Sequence, residues 1–121
     1  MCPGNNASAG KRLSGRTRKG SPWLRMALVE AAHAAIHTKE CYLSAQYHRL
    51  VIRRGGKKAT IAVGHTLLVI IYHVLADEKD YEDLGGNYFD EWDRQAVQKR
   101  LVRRLELLGY KVKLEPTSSA V

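Results

Sequence analysis

Between residues 22 and 108 the apolar positions fall mostly at helical spacing. Ser21-Pro22 offers an N-cap followed by proline at the first helical position, and Leu24, Leu28, Ala31 and Ala35 continue on one face. A helix is predicted over 22–38, its alanine-rich middle allowing close approach of a neighbour. Leu43, Tyr47, Leu50 and Val51 mark a second helix, stopped at Arg53-Arg54-Gly55-Gly56. Residues 57–75 form a third, apolar nearly all round, which the pattern places at the centre of a bundle. A loop over 80–89 turns at Gly85-Gly86-Asn87, with Tyr81, Leu84, Tyr88 and Phe89 as apolar anchors. Asp90 is the expected cap of a last helix, in which Val97, Leu101, Leu105 and Leu108 share one face up to Gly109. Tyr110 to Leu114 alternates like a short strand, and the tail from 115 to 121 is polar.

The segment before this pattern is different. From Cys2 to Ser21 it is rich in Gly, Ser, Asn, Lys and Arg, carries no acidic residue, and reads as a loop ordered only on binding. The expected fold is therefore mainly α: a small bundle of about four helices over 22–114, a basic arm over 1–21, a short C-terminal strand and a disordered tail. No internal repeat is visible.

Charge narrows the partners. Lys and Arg number 20 against 12 Asp and Glu, a formal net charge of +8, which favours a polyanion such as nucleic acid. At 121 residues the chain holds one modest domain. Cys2 and Cys41 have neither disulfide nor zinc spacing, and the polar, basic start lacks the apolar core of a signal peptide, so a cytoplasmic location is expected. The apolar run from Ile61 to Leu75 is interrupted by His65, Thr66 and His73 and falls short of about 20 spanning residues, so no membrane partner is expected.

The arm carries the candidate chemistry. Ser8 lies among Ala7, Ala9 and Gly10, small residues that let a phosphodiester approach its hydroxyl. Lys11, Arg12, Arg16 and Arg18 are close enough in sequence to neutralise phosphate oxygens. A serine hydroxyl is a weak nucleophile without a base or metal, and the arm shows neither, so a basic arm that only contacts phosphates is the commoner reading. Lys19 and Arg25 extend the basic run, and Arg100, Arg103 and Arg104 lie on the cationic face of the last helix with Arg94 and Lys99. His33 and His37 are one turn apart but lack an HExxH pattern, so no metal ligand set is assigned. The acidic residues between Asp77 and Asp93 are read as caps and solvated charge.

The succession CPGNNASAGK, SGRTRKGSPWLRMALVEAAHAA, IAVGHTLLVIIYHVL and YEDLGGNYFDEWDRQAVQKRLVRRLELLGYKV resembles the carboxy-terminal domain of insertion sequence 116/110/902 transposases. That resemblance implies a bacterial DNA transposase or recombinase, associated with the nucleoid and oligomeric in its full form. In such an enzyme a serine of this domain forms a phosphoserine link to DNA. A separate RuvC-like domain binds magnesium through an acidic tetrad, and a structured RNA guides the choice of DNA. On the motif the serine corresponds to Ser8, with Ser14 as second choice. The chain opens inside the motif, so the acidic domain is expected to lie outside these residues, and no cofactor is expected on this chain itself. A non-catalytic nucleic-acid-binding module and an inactive remnant are the alternatives.

Overall fold

The computed structural model describes residues 1–2, 4 and 6–117. It is 61% helical with five helices and one two-stranded sheet among those residues, so the fold is mainly α as the pattern predicts. Two compact units are present, residues 1–88 and 89–121.

The first unit opens with a feature the sequence reading lacked. The arm is a β-hairpin, β1 (Asn6–Ser8) antiparallel to β2 (Lys11–Ser14), with Ser8 opposite Lys11 and Ala7 opposite Arg12. A bulge follows, so that Asn6 pairs with Ser14. The two connecting residues both have positive φ, 49° at Ala9 and 75° at Gly10, the signature of a type I′ turn whose twist matches the strands. Alanine is not a residue that announces such a turn, which is why the segment reads as a loop. Arg18 N–H donates to Cys2 O at 3.0 Å, closing the base of the arm. At Gly4 a side chain would collide with the Arg16 carbonyl, so the two limbs approach as closely as they do only because glycine stands there.

Helix α1 (Pro22–His37) starts as predicted, with Ser21 Oγ accepting from Leu24 N–H at 3.3 Å. Its buried face runs through Leu28, Ala32 and Ile36, in place of the expected Leu24, Leu28, Ala31 and Ala35. Leu24 is half exposed and Ala31 exposed, because the stripe follows the bulkier Ile36. Helix α2 (Tyr42–Arg54) ends at Gly55, whose N–H donates to Val51 O at 2.9 Å and whose φ is 80°. The same glycine is the N-cap of α3 (Gly56–Asp77).

Helix α3 packs on both α1 and α2, and Ala32, Leu43 and Val63 form the core where the three meet, with Tyr47, Leu67 and Ile70 packed around it. Full burial of a side chain such as Leu43 contributes roughly 1.5–3 kcal/mol. Helix α3 is the central helix, as the pattern predicts, but only part of it is covered. Its buried residues, Ala59, Thr60, Val63 and Gly64, lie in the first half, whereas Val69, Ile71, Tyr72 and Leu75 are exposed. At about 1.5 Å rise per residue, a 22-residue helix outruns its 16- and 13-residue neighbours by roughly 9 Å or more. The apolar run is also longer than the sequence reading allowed: by length and composition α3 is sufficient to cross a membrane.

Polar contacts anchor the loop after α3. The Asp83 carboxylate accepts from Tyr42 N–H at 3.2 Å, Gly85 N–H at 2.9 Å and the Tyr81 hydroxyl at 2.8 Å, with Cys41 Sγ at 3.6 Å. It thus caps α2, whose own N-cap residue, Cys41, makes no side-chain capping bond. Partial desolvation raises the pKa of Asp83, but these hydrogen bonds outweigh it and hold the carboxyl below its ordinary value. Burial, and then the bond to Asp83, push the Tyr81 phenol up to about 12. Gly86 N–H donates to Glu40 O at 3.1 Å, and Tyr88 meets the Tyr42 ring edge-on at 5.2 Å. Of the other expected anchors, Leu84 stays largely exposed.

The boundary between the units falls within α4 (Tyr88–Trp92), which absorbs Asp90. Helix α5 (Arg94–Leu107) has Asp93 at its N-cap, without a side-chain bond, so Asp90 does not cap it. Gly109 N–H donates to Glu106 O and Tyr110 N–H to Leu105 O, a Schellman ending that bears out Gly109 as the stop. No residue of α5 is buried, contrary to the expected buried face. Residues 110–114 form no strand, because they pair with no neighbouring edge. Residues 115–117 carry no regular structure, and the rest of the predicted tail lies outside the described residues.

Candidate nucleic-acid interface

The hairpin sets the geometry of the predicted serine. Ser8 is exposed at the last position before the turn, and its side chain makes no hydrogen bond to a described residue. Lys11 is its direct cross-strand partner, which places the two β-carbons about 5 Å apart. Ser14 differs: it is half-buried, and its Oγ accepts from Arg16 N–H at 3.3 Å. Arg12 extends beside Gly15, within 3.5 Å of the position a β-carbon would take there. Lys11, Arg12, Arg16 and Arg18 are all exposed, and the first acidic residue of the chain is Glu30, so a phosphate approaching the arm meets no carboxylate on it.

Below the arm, the first unit contains a cleft of about 490 Å³, walled by the arm on one side and by α1, α2 and the first turns of α3 on the others. Arg16 and Arg25, both predicted, line it together with Lys57 and Lys58. Arg25 also lines an adjoining hollow of about 330 Å³ with Arg18 and Lys19. The structure therefore gathers Arg16, Arg18, Lys19 and Arg25 around two connected depressions. Arg100, Arg103 and Arg104 are exposed on α5 and belong to the second unit.

Lys57 and Lys58 are not among the basic residues that the sequence pattern singles out. A signal was available: they occupy the first turn of α3, which contains no acidic residue, and cations there oppose the helix dipole. Such a local conflict is often the mark of a site. Gln46 and Thr17, which also line the cleft, gave no signal at all.

The magnesium implied for the full enzyme takes oxygen ligands, usually carboxylates, and among the described residues no three His, Cys, Asp or Glu side chains converge. His33 and His37 are exposed and line a hollow of about 380 Å³ with His48, but among the described residues these side chains do not converge as a metal-ligand group.

The first unit thus combines a helical body with a cationic hairpin and a cationic cleft. Residues 1–49, which span the hairpin, α1 and the first part of α2, match the family described as transposase IS116/IS110/IS902. That match supports a DNA transposase-related function. Searches of curated proteins and of solved structures give no match.

Proposed function

We propose that this chain is the DNA-handling module of a transposase, in which the hairpin presents Ser8 to a backbone phosphate. The observation that carries this reading is the position of Ser8: exposed, its side chain without a hydrogen bond to a described residue, and paired through the backbone with Lys11 inside a segment free of acidic residues. In the reaction the Ser8 Oγ forms a bond to phosphorus as a phosphorus–oxygen bond of the DNA breaks. The hydroxyl proton leaves and the departing sugar oxygen gains one, so the exchange needs no oxidant or reductant. Lys11, Arg12 and Arg16 offset the charge that builds on the phosphate oxygens. The engaged, half-buried Ser14 is the weaker candidate. The sequence of the arm contains no carboxylate or histidine to act as a base or metal ligand, so an acidic domain from elsewhere in the protein or from another chain completes the site. The same reading takes DNA and a guide RNA as partners, with assembly into oligomers in the full enzyme.

A non-catalytic binding module is the second reading, favoured by the lack of any carboxylate or histidine in the first 29 residues. Covalent trapping separates the two. Purified chain, labelled element-end DNA, guide RNA and magnesium are combined with and without the separately expressed acidic domain. A denaturant-resistant adduct that requires that domain and disappears in Ser8→Ala is the expected result. An adduct that survives Ser8→Ala but not Ser14→Ala moves the nucleophile to Ser14. Binding without an adduct, beside an active full-length control, leaves the binding module.

A further inference from the structure

The cleft below the arm contains two features that a surface for phosphates alone does not require. Thr17 Oγ1 and Gln46 Oε1 are buried atoms without a hydrogen-bond partner among the described residues, and both residues line it. Two hydrogen bonds orient the Gln46 amide. Its Nε2 donates to Thr66 Oγ1 at 2.9 Å, and the Thr66 hydroxyl donates in turn to Ala62 O at 3.1 Å, so Oε1 is left as the unpaired acceptor. An unsatisfied buried acceptor is destabilising, and one that faces a cleft points to a ligand that brings a donor.

The remaining walls define the rest of that ligand. Arg16, Arg25, Lys57 and Lys58 supply positive charge, Ile61 and Ala62 an apolar surface, and no Asp or Glu lines the cleft. A free phosphate would satisfy the cations and leave Gln46 Oε1 unpaired. A nucleotide satisfies both, with its phosphate at the cations and an amino or imino N–H of its base at Oε1. The volume of about 490 Å³ accommodates one nucleotide and excludes a duplex. Because Arg25 borders both this cleft and the hollow lined by Arg18 and Lys19, cationic side chains continue beyond the first phosphate, as a strand requires and a free nucleotide does not.

We infer that this cleft holds a single unpaired nucleotide of a DNA strand, its base against Ile61 and its N–H edge on Gln46 Oε1. The inference rests on the nucleic-acid reading above and places the strand under the arm that carries Ser8. No Phe, Tyr or Trp lines the cleft, so a base drawn into it leaves its stacked neighbours without acquiring an aromatic one.

That property supplies the test. Single-stranded DNA containing one 2-aminopurine is titrated with the full chain carrying Ser8→Ala, which leaves the cleft intact and prevents covalent chemistry. The expected result is a fluorescence rise on binding, and affinity lowered about tenfold when the probe is replaced by an abasic site. The exposed pair Lys57→Ala/Lys58→Ala weakens binding to a similar degree. Gln46→Met, shown folded by circular dichroism, abolishes the difference between the abasic and intact strands. Binding with no fluorescence change and no abasic penalty would overturn the cleft while leaving the DNA-handling module intact. Failure to bind any strand removes both. Equal affinity for free adenosine monophosphate overturns the strand, and a clear preference for the matching RNA overturns DNA as the occupant.

Discussion

The two halves of α3 are both apolar in sequence and have opposite fates in the fold. In the first, Ala59, Val63 and Gly64 are buried where α1 and α2 cross the helix; in the second, Val69, Ile71, Tyr72 and Leu75 face solvent. What separates them is residue size and the reach of the neighbours. At Gly64 an added β-carbon would lie in ordinary contact, 3.5 Å, with Leu28 O and would press on the Met1 side chain at 2.8 Å, so the helix face there meets its neighbours at close range. Further along, larger side chains find no shorter helix beside them. Hydropathy measures the wish to be covered, and helix length decides whether anything is there to do it.

The largest expected effect tests that contrast directly. Val63→Asp places a carboxylate at a position with 0% exposure and should cost at least about 4 kcal/mol, enough to abolish cooperative thermal unfolding. Leu75→Asp, at 74% exposure, should change stability by no more than about 0.5 kcal/mol. Equal losses from the two would mean that the second half of α3 is covered in solution.

A smaller effect is expected where the chain leaves α3 and polar bonds take over from apolar contact. Asp83→Ala should cost about 1 kcal/mol at neutral pH through loss of the α2 cap. Because the folded carboxyl titrates below the ordinary value of 3.8, its stabilisation is present above that value and is lost as pH falls through the lower folded one. The stability difference between Asp83→Ala and the parent, measured by denaturant titration, should therefore stay constant from pH 7 to about pH 5 and shrink below 3.8. A difference independent of pH down to 2 would assign the loss to packing.

The arm, like the second half of α3, lacks apolar cover, and its turn shows the smallest effect. Ala9→Gly relieves a left-handed alanine worth about 1 kcal/mol and should slow hydrogen exchange at the amides paired across β1 and β2. Faster exchange would show that the hairpin depends on the alanine side chain and not on turn geometry.

Much of this architecture was legible because punctuation residues carry local signals. Ser21-Pro22, Gly55 and Gly109 mark helix ends whose bonds depend on no distant partner. The family resemblance was legible for the same reason, since the arm and α1 are contiguous in sequence. The hairpin was hidden because Ala9 takes a conformation usually left to Gly or Asn. The cleft was hidden because its walls join Thr17, Gln46 and Lys57, which no spacing rule connects. The buried face of α1 was misjudged by one position, since alanines offered equally good stripes and only the contact with α3 distinguishes them.

Gly55 ends α2 and begins α3 with no residue between, so the joint has no slack. Each residue advances a helix by about 100°, and this joint therefore acts as the phase reference for everything that follows it. One added residue there would turn Val63 out of the core and swing Lys57 and Lys58 away from the arm. The same addition at the Ala9-Gly10 tip would lengthen a loop and leave that phase unchanged. Drift in chain length is thus cheap at the hairpin tip and forbidden at the joint between α2 and α3.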